Sequence, residues 1–370
     1  MDIKGNKRNK RIYLEVMRTL ACMLVILNHL PVYGIFSSTS GIEQVLFMFV
    51  PMIVRLNIPV FFMISGALLF PKDEDIKIVL KKRVSRIIAL ILFFDLIMVA
   101  IDRYLCHVYG ETPDITPKDF ILRVLNNKGI PGTNIYWYLY AYMGVLFVLP
   151  LMHRVAVGIT ESEMITLVIL RTVVQTLFPM FNLYMQFSGT DKRFQMTDHF
   201  AVPFAFVDAF YYMLLGYYLE HKVDIKKVQR RHLFAMALTI ILGAAVSIGC
   251  TYFEAGLNGQ YSDYFLTILA YIYSGIFFII VKYLFEVKLS DVKHPRFDKV
   301  IAFIGSMTLG IYMLDFGFKR LFSEYFVSFF GQDTTAQKLT YSFAWLCFSL
   351  TLGTICTLIL KRIPGISNIV

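Results

Sequence analysis

The sequence is short of the residues that make a water-facing surface. Charged residues fill 17% of its 370 positions and hydrophobic ones 57%, far from the mixture found in a soluble globular domain. Period-two alternation is missing from the apolar runs, which excludes the strands of a membrane β-barrel. Cysteine is scarce: Cys22, Cys106, Cys250, Cys347 and Cys356 show no short spacing of the kind metal sites use, so no metal is expected. Three of them lie inside apolar runs and read as small apolar side chains. Cys106 and Cys250 fall near outer helix ends, where two separate thiols are the favoured reading and a disulfide the alternative. Internal repeats, low-complexity tracts and a second soluble domain are also missing, so residues 1–370 are read as one transmembrane domain with no fused soluble part.

What is present is hydrocarbon. Mean hydropathy is +0.62, and the runs Ile87 to Ala100, Leu233 to Cys250, Tyr264 to Val281 and Tyr341 to Leu360 are apolar on nearly every face. Most approach the roughly 20 residues that cross a bilayer core. Only helices satisfy the backbone there once barrels are excluded. The fold class is therefore all-α, a polytopic integral membrane protein of about ten transmembrane helices. The spans read are Ile12–Tyr33, Leu46–Phe70, Ile87–Leu105, Asn134–Met152, Glu163–Phe181, Ala201–Glu220, His232–Phe253, Asp263–Phe285, Val300–Phe322 and Leu339–Leu360. Met1 to Leu30 has the outline of a signal peptide. Glu15, Arg18 and His29 interrupt it and no small-x-small cleavage site follows, so it reads as a retained first helix.

The formal charge of +10 would point to nucleic acid in a soluble protein. Here the basic residues gather in alternate loops, which makes the lipid bilayer the partner and nucleic acid none. With the amino terminus inside, 23 lysines and arginines face the cytoplasm, in groups around Lys4–Arg11, Lys72–Arg86, Arg154, Lys222–Arg231, Lys288–Lys299 and Lys361–Arg362. Only Lys118, Arg123, Lys128, Lys192, Arg193 and Lys338 face out. Both termini are thus expected in the cytoplasm, and the chain in the cytoplasmic (inner) membrane of a bacterium. In the longest outer loop, Thr116 followed by Pro117 predicts a short helix, an interfacial element or a lid.

An ionisable residue inside a membrane is a functional candidate by default. The first helix carries three, Glu15, Arg18 and His29. Arg18 and His29 are eleven residues apart, close to three full turns at about 100° per residue, so a continuous helix puts them on one face with a rise of roughly 16 Å. A guanidinium near the cytosolic surface suits a phosphate, and an imidazole deeper in suits a general base. An extended thioester donor spans such a gap. Glu15 lies three residues from Arg18, within pairing reach. The plainer reading is a helix-packing pair, with Arg18 at the headgroups and His29 bonded to a neighbouring backbone.

Several segments then occur in a familiar order: Arg18 to His29; Pro59-Val60-Phe61-Phe62-Met63-Ile64-Ser65-Gly66; Arg83-Val84-Ser85-Arg86-Ile87; Tyr136-Trp137-Tyr138-Leu139; Leu214-Leu215-Gly216; and Gly310-Ile311-Tyr312. In this the chain resembles the acyltransferase family three proteins of bacteria over nearly its whole length. The resemblance implies ten helices, acyl-CoA (usually acetyl-CoA) as donor, and a hydroxyl acceptor on a surface or lipid-linked carbohydrate or related molecule. It also implies Arg18 and His29 as the functional pair and donor binding supported by Arg83 and Arg86. Those two arginines, three apart at the start of the third helix, also suit CoA phosphates on electrostatic grounds, while Lys81 and Lys82 serve equally as a positive-inside anchor. Asp315 departs from the family pattern, which often has histidine there. With Lys319 four residues on, it reads as half of an ion pair.

Ser65 has no local base beside it and reads with Gly66 as small-residue helix packing. Asp102 and Arg103 read as reaching water, whereas Asp95, Arg171 and Asp208 lie deeper and either pair across helices or line an acceptor path. Two functional classes remain. The first is an O-acyltransferase with His29, Arg18 and Glu15 as catalytic groups, acting alone, as a homo-oligomer or with a separate partner protein. The second is an exporter of a polysaccharide or lipid-linked sugar, disfavoured by the missing inverted repeat and by the expectation of no paired broken helices.

Overall fold

The computed structural model describes residues 12–112, 115–190, 193–194, 202–290 and 295–369. Lys4, Lys7, Arg8, Lys10, Arg11, Lys192 and Lys293, part of the orientation argument, lie outside the described residues. Among the described residues every regular element is helical. In chain order these are α1 (Ile12–Leu27), α2 (Gly41–Val54), α3 (Asn57–Leu69), α4 (Ile76–Tyr109), α5 (Pro117–Leu125), α6 (Trp137–Phe147) and α7 (Leu149–Gly158). There follow α8 (Glu161–Phe187), α9 (Asp208–His221), α10 (Arg230–Asn258), α11 (Tyr264–Lys288), α12 (Pro295–Phe330) and α13 (Thr335–Arg362).

Seven of these helices, with α2 and α3 taken as one, are long and apolar enough to cross a membrane, and two bent pairs raise the number to nine. Among the described residues each of the ten apolar runs contains helix, but the helix of the sixth, α9, is only 14 residues long. The third begins eleven residues earlier than expected, at Ile76, so Arg83 and Arg86 belong to α4 itself and not to a loop.

Prolines explain where the helices break. Proline has no N–H to donate to the carbonyl four residues back, and its ring crowds that turn. Pro31 lies four residues beyond Leu27, where α1 stops, and the 3₁₀ turn Pro31–Ser37 leaves at 62° to it. Pro59 stands four residues beyond Arg55, at the joint of α2 and α3. Pro150 lies four beyond Leu146, beside the 76° bend that ends the segment Asn134–Phe147. Pro179 follows the π-helical turn Val173–Leu177 inside α8. Against the expectation of no paired broken helices, two bent helix pairs are present, at prolines hidden inside apolar runs.

Several helix starts follow the sequence signals. The Thr116 hydroxyl accepts from the Asp119 amide, with Pro117 as the first helical residue. Capping boxes of Thr160 with Glu163 and Thr334 with Gln337 open α8 and α13, each satisfying two otherwise orphaned donors.

The chain forms two compact units, one of Met1–Lys72 with His153–Ala302, the other of Asp73–Met152 with Phe303–Val370. In the first, α3 crosses α9 so closely that a β-carbon on Gly66 would stand 1.8 Å from the Met213 carbonyl oxygen, and one on Gly216 would stand 2.1 Å from that of Met63. Small residues let membrane helices approach to backbone contact, and the Ser65-Gly66 reading as packing fits this. The Ser65 hydroxyl itself donates to the Phe61 carbonyl at 2.9 Å. A smaller cluster of Phe36, Met48, Met52, Ala244 and Leu266 closes the same unit. In the second unit Trp345, fully buried, packs edge-on against Phe326. Gly310 there admits the Thr357 side chain, whose Oγ1 would lie 2.3 Å from an added β-carbon.

Replacing Gly66 or Gly216 by alanine is expected to cost about 3 kcal/mol, the upper range for overpacking. The unfolding midpoint of detergent-purified protein measures it. Gly249→Ala in α10, where nothing lies within 4 Å, should leave that midpoint unchanged or raise it.

Candidate active site

The first-unit candidates begin on α1. Glu15 and Arg18 are both half-buried, with side chains 23% and 26% exposed. Both carboxylate oxygens of Glu15 take the same guanidinium nitrogen, Arg18 Nη1, at 2.8 and 2.7 Å. Among the described residues Arg18 makes no other polar contact. Its Nε and Nη2 edge therefore stays open, and that edge grips a phosphate or carboxylate bidentately. Glu15 fixes the arginine without consuming its fork.

His29 is not on the helical lattice of α1. The helix ends at Leu27, and the His29 amide donates to Ile26 three residues back at 3.1 Å, tightening the last turn. At about 120° per residue, such a turn swings His29 roughly 40° further round than a continuous α-helix would. The one-face argument is corrected to that extent, Pro31 being the cause. What replaces it is a corner: half-buried His29 sits where the chain breaks at 62°. Irregular backbone at membrane depth is tolerated where protein buries it or where it lines a cavity.

Beside it, the Asn28 side-chain oxygen is buried without a hydrogen-bond partner among the described residues. It is an acceptor waiting for a donor, which hydropathy cannot reveal. The other end of α1 is pinned by Tyr13, whose hydroxyl donates to Glu220 at the end of α9. Lys282 also reaches Glu220, at 3.2 Å.

Arg83 and Arg86 belong to the second unit and are described there. Arg83 gives its bidentate edge to Glu74, Nε to Oε2 at 2.6 Å and Nη2 to Oε1 at 2.5 Å. Arg86 is exposed, with one long contact from Nε to the Ile369 carbonyl at 3.4 Å. Of the two, Arg86 is the arginine whose charge is available. Arg83 lies in the π-helical turn Val79–Val84 near the start of α4 and Arg86 just after it, an irregularity often found at functional sites.

Other charges depart from expectation. Asp102 is buried, not water-facing, and accepts from Arg320 at 2.7 Å. Asp315, 3% exposed, accepts from Ser349 Oγ at 2.6 Å and Trp345 Nε1 at 3.3 Å, partners 34 and 30 residues away that the Lys319 spacing does not suggest. Asp95 is 2% exposed, and its Oδ1 has no partner among the described residues. In the first unit Arg171 pairs with Asp208 across α8 and α9. Cys106 and Cys250 are both free thiols. Among the described residues no three His, Cys, Asp or Glu side chains gather as metal ligands.

The orphaned Asn28 oxygen makes a prediction of unusual sign. A buried unsatisfied acceptor costs about 1–3 kcal/mol, so Asn28→Leu should hold or raise the unfolding midpoint of the purified protein. A clear fall in that midpoint would mean the oxygen is already satisfied.

Comparison with known proteins bears on these groups. A family model described as an acyltransferase domain matches residues 11–362. No curated protein and no solved structure matches the chain. The matched stretch includes α1 with Glu15, Arg18 and His29, the start of α4 with Arg83 and Arg86, and every later helix to the end of α13. With nearly its whole length covered in this way, the chain belongs to acyltransferase family three, a family of membrane acyltransferases.

Proposed function

We propose that this protein moves an acyl group, acetyl in the simplest case, from cytoplasmic acyl-CoA to a hydroxyl of a cell-surface or lipid-linked carbohydrate or related acceptor. The observation that carries the reading is the Glu15–Arg18 arrangement within the family match: a guanidinium held at one nitrogen with its bidentate edge open.

In this mechanism Arg18 holds a CoA phosphate, and Glu15 keeps it oriented. Donor binding supported by Arg86, and by Arg83 once Glu74 releases it, is a separate proposal for the second unit. His29 accepts the proton of the acceptor hydroxyl as that oxygen attacks the thioester carbonyl. The new C–O bond forms, the C–S bond breaks, and the imidazolium returns its proton to the leaving thiolate. Asn28 offers its oxygen to a neighbouring hydroxyl of the acceptor, orienting it while the proton of the attacking hydroxyl stays directed at His29. The basic loops support ten spans, cytoplasmic termini and a place in a bacterial inner membrane. The acyltransferase works alone, as a homo-oligomer or with a separate partner.

The two broken spans favour a second reading, export of a polysaccharide or lipid-linked sugar, since discontinuous helices mark many transporters. It calls for substrate movement with no consumption of acyl-CoA.

Purified protein in nanodiscs with radiolabelled acetyl-CoA separates the two. His29→Ala should lower kcat by about 10²–10⁴-fold, the usual worth of a general base, with the KM for acetyl-CoA little changed. Arg18→Lys keeps the charge but loses the fork, and should instead raise that KM by about tenfold. An unchanged rate in His29→Ala would falsify the mechanism.

A further inference from the structure

One fully buried cation of the first unit has no role in the chemistry above. Arg171 lies in the middle of α8 and is 3% exposed. Three tyrosine rings surround its guanidinium, with centroids 4.3 Å (Tyr211), 4.8 Å (Tyr212) and 5.6 Å (Tyr271) away. The cage is braced: the Tyr271 hydroxyl donates to Thr172 at 2.8 Å and lies 3.1 Å from that of Thr176. Thr172 immediately precedes the π-helical turn Val173–Leu177 and Thr176 lies within it, ahead of Pro179.

So thoroughly held a charge should have its donors satisfied, and it does not. Nη2 reaches Asp208 and, at 3.5 Å, the Tyr212 hydroxyl; Nη1 makes a long 3.4 Å contact to the Ala205 carbonyl. Nε is buried with no partner among the described residues. Asp208 thus takes one nitrogen of the edge that could hold two oxygens, and its own side chain is 52% exposed. An unsatisfied buried donor of a charged group is costly, so a structural cage alone is a poor account of it.

The guanidinium points at a second positive feature. Its contacts, Ala205 and Asp208, flank the start of α9, and Val207, at the cap position, supplies no side-chain cap. The first-turn N–H groups of a helix lack intrahelical acceptors and carry partial positive charge. A fixed, partly unsatisfied guanidinium beside an uncapped helix start is a place for an oxyanion.

The start of α9 and the end of α1 lie at similar lengths from one shared contact. From the Tyr13–Glu220 contact, Leu27 lies about 21 Å along α1 and Asp208 about 18 Å along α9, at about 1.5 Å per residue. Both are the far ends of their helices from that contact, and His29 lies two residues beyond Leu27.

We propose that Arg171 and the start of α9 form an oxyanion site that takes a phosphate or carboxylate carried by the acceptor, with Asp208 as the internal anion it displaces. The acceptor is then anionic, a refinement that rests on the acyltransferase reading.

The test uses the full-length protein in phosphatidylcholine nanodiscs, titrated with inorganic phosphate and with acetate while the unfolding midpoint is recorded. The wild-type midpoint rises saturably with one of the two anions, which tells phosphate from carboxylate, and Arg171→Gln abolishes the rise. Asp208→Asn, a mild change at an exposed side chain, removes the competing charge and lowers the half-saturating concentration about tenfold. An equal rise in Arg171→Gln, or no rise in either wild type or Asp208→Asn, overturns the site. In acetyl transfer, glucose 6-phosphate or glucuronate is preferred over methyl glucoside by at least about tenfold. Arg171→Gln erases that preference without changing the KM for acetyl-CoA. A neutral acceptor used equally well, or an effect of Arg171→Gln on acetyl-CoA alone, overturns the assignment to the acceptor. Absence of turnover with every acceptor removes the acyltransferase reading and the acceptor assignment with it, while the anion titration still decides the site.

Discussion

A charge in hydrocarbon must be paired, and much of this structure is organised by where each charge finds its partner. Glu15 holds Arg18, Asp208 meets Arg171, Asp102 meets Arg320, and Glu220 gathers Tyr13 and Lys282. Leaving one partner of a buried pair alone costs several kcal/mol, on the order of 3–5, which is enough to fix helix rotation and depth. The same constraint makes the incomplete pairings informative. Asn28 Oδ1, Asp95 Oδ1 and Arg171 Nε remain buried and unpartnered among the described residues. Two of the three sit beside groups that the acyl-transfer account uses or extends.

Backbone hydrogen bonding imposes the second constraint, and proline decides where it fails. Pro31 and Pro150 each stand beside a bend that breaks a span, and Pro59 stands just past the joint of α2 and α3. The corner made by Pro31 takes His29 off the helix and gives it irregular backbone on one side. A catalytic group gains from such a position, because its surroundings are free to be shaped for a substrate while α1 stays anchored through Tyr13 and Glu220.

Much of this was legible in the sequence. Hydropathy locates each of the seven helices long and apolar enough to cross a membrane among the described residues, since apolar length is a local property. The short helix Pro117–Leu125 follows from Thr116 and Pro117, and the Glu15–Arg18 pair from three-residue spacing. Long-range partners were not legible: nothing local links Arg171 to Asp208, Asp102 to Arg320, or Asp315 to Ser349 and Trp345. The end of α1 at Leu27 was readable in principle, because Pro31 disfavours helix in the residues before it. The surrounding apolar run masked that signal and made His29 look helical. Family membership supplies the reaction class, while the open edge of Arg18 and the engaged edge of Arg83 come only from three-dimensional geometry.

In the proposed mechanism acyl-CoA lies along the first helix, with its phosphates at Arg18 and its thioester toward the corner at His29. Photo-crosslinking tests it most directly: a diazirine placed on the acyl chain of an acyl-CoA, protein in nanodiscs, and label mapped by mass spectrometry. The account predicts label on the peptide containing Asn28, His29 and Leu30, competed away by acetyl-CoA. Label confined to peptides of other helices, or insensitive to acetyl-CoA, contradicts it.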